Sequence, residues 1–295
     1  DTVRAHRVSA GAWVVAGAAF MFLMALSIDR EMSRYPGGPA ALAESVRGSI
    51  EAMRPLRWPA DRLDALGGYL WYHNVPILTL LLAMYGAVLG ARAVRGGEDS
   101  RSLEEVLATG VPRRKMLRDR AFGFVVVDAV IVLGIGAGTA AGMAVAGEPR
   151  LGGSFVTMAA AGLCALVAYA LGMLVSQLTT SSRAAGGIAA VVLAALYVAT
   201  NVAGEIGPFG VARFVSPFHY ANASRALVPG VGIDVAAVVA LVGLCAGLVA
   251  ASSWAFDRRD YQSSLWPRTT RLTAAWQARV KRPMLHTVWT SILLR

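Results

Sequence analysis

The sequence predicts an all-α integral membrane protein with six transmembrane helices, and three observations predict it. Of its 295 residues 56% are hydrophobic and only 16% charged, with a mean hydropathy of +0.54, against roughly 45–50% apolar residues in an ordinary soluble domain. Six separate stretches are apolar enough to cross about 30 Å of hydrocarbon, which takes about 20 residues at 1.5 Å each with every backbone group bonded inside the helix. Lys and Arg collect on alternate connections, as they do when successive spans reverse direction.

The spans fall at residues 10–28, 69–91, 121–146, 155–178, 184–203 and 235–255. Arg4 and Arg7 before the first resemble the start of a signal peptide. The apolar run is too long for one, however, and has no clear cleavage site before the charges that begin at Asp29. An even number of spans puts both termini on one side. The N-terminus, residues 92–120, Arg183 and the C-terminal tail hold 19 of the 28 Lys and Arg, and the acidic residues divide almost evenly. The positive-inside rule therefore places both termini in the cytoplasm. The net charge of +10 reflects this topology and anionic headgroups, with no nucleic-acid partner implied.

Between the first two spans, prolines at 36, 39, 55 and 59 bracket a segment with Leu42, Val46, Ile50 and Met53 at helical spacing. Glu44, Arg47, Glu51 and Arg54 lie off that face, so an amphipathic helix at the outer interface is expected. Residues 92–120 contain Ser102-Leu103-Glu104-Glu105, the form of a capping box, which predicts a short cytoplasmic helix ending near Thr109, before Gly110 and Pro112. Leu103, Val106 and Leu107 give it an apolar face, followed by Arg113, Arg114 and Lys115. Spacing alone leaves two readings, a docking helix for a partner protein or an interfacial helix resting on lipid.

Residues 204–234 are too long for a tight turn and too apolar for a solvated loop, and fit an outer re-entrant hairpin held against protein or a wet cavity. The tail after residue 260 is basic and carries Trp266, Trp276 and Trp289, which suits docking at the membrane surface. The chain starts without methionine and ends in a basic-then-apolar run, 286–294, as a fragment or one half of a longer polypeptide would. Residues 1–260 thus read as one six-span unit, and 261–295 as a cytoplasmic tail or the start of a further segment.

The chemistry-bearing motifs are few. No GxxxxGK[ST] loop occurs, so ATP hydrolysis is not expected in this chain. His6, His73, His219 and His286 are scattered without HExxH, no GxSxG is present, and neither a metal site nor a catalytic residue is expected. Cys164 and Cys245 lie within spans and read as small apolar residues, unpaired. Gly138 and Gly142 form a GxxxG in the third span. Asp128, about a third of the way into that span, is the one carboxylate in a predicted span, and reads either as a satisfied structural group or as a coupling or substrate contact.

The run from Glu98 to Lys115 resembles the signature that follows the second span in type 2 ATP-binding-cassette exporter permeases: an acidic residue, a Leu-rich short helix, a small-residue turn, Pro and then Arg. Ser216-Pro217-Phe218-His219-Tyr220 is similar to their Ser-Pro-aromatic run before the last span, and Phe256-Asp257-Arg258-Arg259-Asp260 to their exit sequence. The chain looks most like the polyketide-antibiotic (tetronasin-type) exporters. The resemblance implies a coupling helix, with Leu103, Val106 and Leu107 docking on a separate ATPase subunit, Glu98 and Arg113 holding its ends, Ser102, Glu105 and Arg114 in the same coupling site, and Pro217, Phe218 and Tyr220 in an outer gate. It also implies ATP and Mg on the partner ATPases, a second six-span half, and export of a hydrophobic or amphipathic substrate across a bacterial cell membrane. Two other functions compete: an ion-coupled carrier using Asp128, and a non-transporting sensor or assembly subunit.

Overall fold

The computed structural model describes residues 2–52, 60–99, 112–202 and 213–258. Eight helices and no strand occur among them: α1 (Thr2–Arg34), α2 (Gly38–Ala52), α3 (Leu66–Asp99), α4 (Arg113–Val145), α5 (Leu151–Leu178), α6 (Ser182–Val202), α7 (Pro217–Ala221) and α8 (Val235–Arg258). All except α2 and α7 are long and apolar enough to cross a membrane. We call the end of the bundle where α1 begins proximal and the opposite end distal.

Most of the long helices overrun the expected spans. Residues 92–99 continue α3 and residues 113–120 open α4, so the connection expected over 92–120 narrows to residues 100–112. Hydropathy marks only the lipid-matched part of a helix, whereas the backbone ladder continues through charged residues once they reach the interface or a protein surface. One consequence concerns Asp128. Because α4 starts eight residues before the expected span, Asp128 stands near the middle of the helix rather than a third of the way in.

The centre of the bundle is the pair α3 and α5, which bury 56% and 72% of their apolar windows, against 17% for α8. Helix α1 packs on α4, α4 and α8 pack on α5 and touch each other, and α6 packs mainly on α3. The α3–α5 seam is closed at Gly86, Gly90 and Gly172, where backbone meets backbone. A Cβ added at Gly90 would stand 2.0 Å from the Tyr169 carbonyl oxygen, and one at Gly172 2.1 Å from that of Ala87. Association in lipid depends on such close approach, since burial from water no longer drives it. Gly138 and Gly142 serve α1 in the same way, facing Ala18, Phe22 and Ala25. Pro76 lies inside α3, where Asn74 and Thr79 donate side-chain hydrogen bonds to the Leu70 and Val75 carbonyls.

Helix α2 lies beside the distal end of α1. Leu42 and Ala43 are buried in the core and Val46 packs against it, while Glu44 and Arg47 are exposed and paired at 3.2 Å. For Leu42, Glu44, Val46 and Arg47 this is the polarity expected, while Met53 and Arg54 lie outside the described residues.

Candidate functional site

The polar chemistry sits at the two ends of the bundle, with one acid between them. At the proximal end the last turns of α3 carry Arg95 and Glu98, whose side chains are 2% and 3% exposed and bridge at 2.5 Å. Arg95 Nε also donates to the Ser176 carbonyl at 3.0 Å, in the final turn of α5, where carbonyls have lost their intrahelical partners. The next residue, Asp99, accepts hydrogen bonds from the backbone N–H and the hydroxyl of Ser182 at the first turn of α6, a favourable place for a carboxylate.

The far side of the 100–112 connection is anchored as well. Met116 and Leu117 are buried with Phe256, Phe124, Tyr169 and Met173, and Arg114 pairs with Asp257 at the end of α8. That second pair is largely exposed at Arg114, so it contributes at most about 1 kcal/mol. Both flanks of the connection are thus fixed to the bundle.

The expected site residues are placed as follows. Glu98 is not at the edge of a separate helix but inside α3, held by Arg95, which sequence reasoning passed over; their i, i+3 spacing was the available signal. Arg114 is exposed at the start of α4, and Arg113 precedes it in the same turn. Ser102, Leu103, Glu105, Val106 and Leu107 lie outside the described residues, as do the connection's capping box and residues 203–212.

At the distal end, Pro217 opens the five-residue α7. Ser216 Oγ donates to the Leu196 carbonyl and accepts from Thr200 Oγ1, Phe218 is buried edge-on against Tyr197 at 5.3 Å, and the Tyr220 hydroxyl donates to the Phe214 carbonyl. Burial, then the nearby Arg213 cation, push His219 below its ordinary value, with Asp234 opposing. Beyond α7 the chain turns inward. Leu227 and Val228 are buried, and the Leu227 N–H donates to Thr157 Oγ1 at 3.0 Å. Arg225 pairs with Asp61 and lies 5.4 Å over the ring of Trp71.

Asp128 is 5% exposed. Its carboxylate rests against α5 where Gly162 leaves room, since a Cβ there would stand 2.7 Å from Oδ2. No hydrogen bond or ion pair reaches it among the described residues. Asp128→Asn preserves the shape, and the folded yield after extraction and the thermal midpoint are expected to stay at native values.

Six apolar helices around a glycine-closed centre, with ion pairs at the helix ends, define a multi-pass membrane protein with the build of a permease. The model of the family described as ABC-2 family transporter protein matches residues 6–261, and the chain belongs to that family. Its members are membrane subunits, generally non-enzymatic, that work with ABC ATPase subunits. No curated protein matches the chain.

Proposed function

We propose that this chain is the permease subunit of an ATP-driven exporter, with the connection between α3 and α4 as its coupling helix. The observation that carries the reading is the double anchoring of that connection. The buried Arg95–Glu98 bridge and the Asp99–Ser182 contacts hold one flank, and the Met116–Leu117 packing holds the other. A docking element must pass motion on to helices, and rigid flanks on α3 and α4 would do so.

In this reading Leu103, Val106 and Leu107 dock on the ATPase, which holds ATP and Mg. The proximal end is cytoplasmic, and a second six-span half completes the pathway. Residues 204–234 form an outer re-entrant gate in which Phe218 and Tyr220 seal against α6; the inward turn at Leu227 supports this, being irregular backbone tolerated at depth only against protein. The substrate is hydrophobic or amphipathic, as for the tetronasin-type exporters, and the membrane is that of a bacterial cell.

The test is co-purification with the candidate ATPase subunit. A Leu103→Asp/Val106→Asp/Leu107→Asp variant is expected to lose the ATPase while remaining folded in the membrane. Equal retention by the variant would remove the coupling-helix assignment.

Asp128, a buried acid with no hydrogen bond or ion pair among the described residues, favours one second reading, an ion-coupled carrier working through it. Transport that survives Asp128→Asn and stops on ATP depletion rejects it; transport that needs a proton gradient and the carboxylate would replace the main reading.

A further inference from the structure

The distal end contains an open pocket at the border of the proposed gate, to which the 204–234 segment contributes Pro229. It measures about 480 Å³ and is lined by Arg62, Ala65, Glu148, Pro149, Arg150 and Pro229. Three separate segments build it: the approach to α3, the α4–α5 turn, and the inward chain after α7. The volume falls within the usual range for a small-molecule site.

Its walls are preformed. A Cβ at Gly67 would stand 2.3 Å from the Leu227 carbonyl oxygen, one at Gly153 2.5 Å from that of Ala226, and one at Gly68 2.0 Å from that of Arg62. Each glycine admits a neighbouring backbone where a side chain would exclude it, so the three segments interlock. Arg225–Asp61 and the Leu227–Thr157 hydrogen bond add cross-links. Arg62 is the only non-glycine residue with positive φ among the described residues, at 52°, and such strain persists only where the surroundings enforce it.

The charges lining the cavity are of both signs and differ in commitment. Arg62 is taken up by Asp64 through two hydrogen bonds, at 3.0 and 3.2 Å. The guanidinium of Arg150 and the carboxylate of Glu148 have no hydrogen bond or ion pair among the described residues, although Glu148 is near enough to favour the Arg62 cation and both line the same space. Outside the cavity, Val145 and Leu151 flank the turn with 67% and 66% exposure. They sit at the ends of α4 and α5, where the apolar spans give way to the headgroup layer.

The geometry points to a binding site for a zwitterionic phospholipid, one whose headgroup carries an amine beside its phosphate. The phosphate sits on Arg150, the ammonium on Glu148, and the acyl chains run along Val145 and Leu151. Guanidinium–phosphate contacts are charge-assisted and directional, and Glu148 is what selects the amine. The site depends on the chain being a membrane protein and is independent of how transport is energised.

The experiment is native mass spectrometry of the full chain from nanodiscs with equal phosphatidylethanolamine and phosphatidylglycerol. The native chain is expected to retain phosphatidylethanolamine preferentially at one copy per chain. Arg150→Gln should weaken retention of both lipids about tenfold, the scale of one charge-assisted hydrogen bond, and Arg150→Lys should restore part of it. Glu148→Gln should keep phosphatidylglycerol and erase the preference. Arg34→Gln, an exposed arginine at the same end, is the control for bulk charge, and thermal midpoints confirm folding. Native retention without an ethanolamine preference, or Arg150→Gln behaving as Arg34→Gln does, would overturn the assignment. So would a preference that survives Glu148→Gln.

Discussion

Gly90→Val is expected to abolish accumulation of folded protein in the membrane. At this position the first added carbon stands 2.0 Å from the Tyr169 carbonyl oxygen and 3.1 Å from the Met173 nitrogen. Both atoms are backbone inside α5, so no side chain can swing away. The helices would have to part along a seam that Gly86 and Gly172 close from the same two sides. Parting them also pulls at the Tyr169 ring, stacked on Phe124 at 4.2 Å, and at the Arg95–Ser176 hydrogen bond. Overpacking a core costs up to about 3 kcal/mol where side chains can yield, and this contact, backbone on backbone, belongs at or above that figure. Against a total stability of about 5–15 kcal/mol the loss is large. The measurement is the monodisperse fraction after extraction, with Gly187→Val as control, because Gly187 faces outward with nothing within 4 Å. Equal yields would refute the seam as described.

The second large effect concerns the proximal bridge. Arg95→Met removes the cation bridged to Glu98 inside the bundle, and removing one partner of a buried pair costs up to about 3–5 kcal/mol. Glu98→Leu should cost less, because Arg95 keeps its hydrogen bond to the Ser176 carbonyl. The double variant replaces both charges with apolar bulk and is expected to recover much of the loss, since desolvation of the pair offsets most of its attraction. Thermal unfolding in detergent reads this directly, and single variants as stable as the native chain would show that the bridge is not formed. On the coupling reading, the double variant should also fail to transmit ATPase-driven transport although it folds, because it lacks the Arg95 contact that ties α3 to the end of α5.

Much of the fold was legible because lipid is an exacting solvent. A span must satisfy its backbone internally and present apolar side chains, so the six cores stand out in the sequence. Gly138 and Gly142 were also readable as a spaced pair, and they do face α1. Gly86, Gly90 and Gly172 were not singled out, since a glycine's neighbours in space are set by helix rotation and partner choice. The helix ends escaped for a related reason: charge ends a hydropathy window, yet Arg95 and Glu98 continue α3 by pairing with each other.

The functional residues divide along the same line. Glu98, Arg114, Pro217, Phe218 and Tyr220 drew attention through motif resemblance, but their surroundings could not be read from spacing. Glu98 lies inside a helix against Arg95, Arg114 meets Asp257 from the far end of the chain, and Phe218 is packed beneath Tyr197. Asp128 was visible as an acid among apolar residues, while its position at mid-helix against Gly162 depends on where α4 starts and how it meets α5.

The sequence by itself determined that this chain crosses a membrane, roughly where its six spans lie, and which family it resembles. These follow from local composition and from residues adjacent in the chain. Only the tertiary structure decided that α3 and α5 form the centre, that the α3–α4 connection is anchored at both flanks, and that three distal segments line an open pocket with charges of both signs. Each of those depends on backbone distances of a few ångströms between residues far apart in sequence, which close packing fixes and composition does not encode.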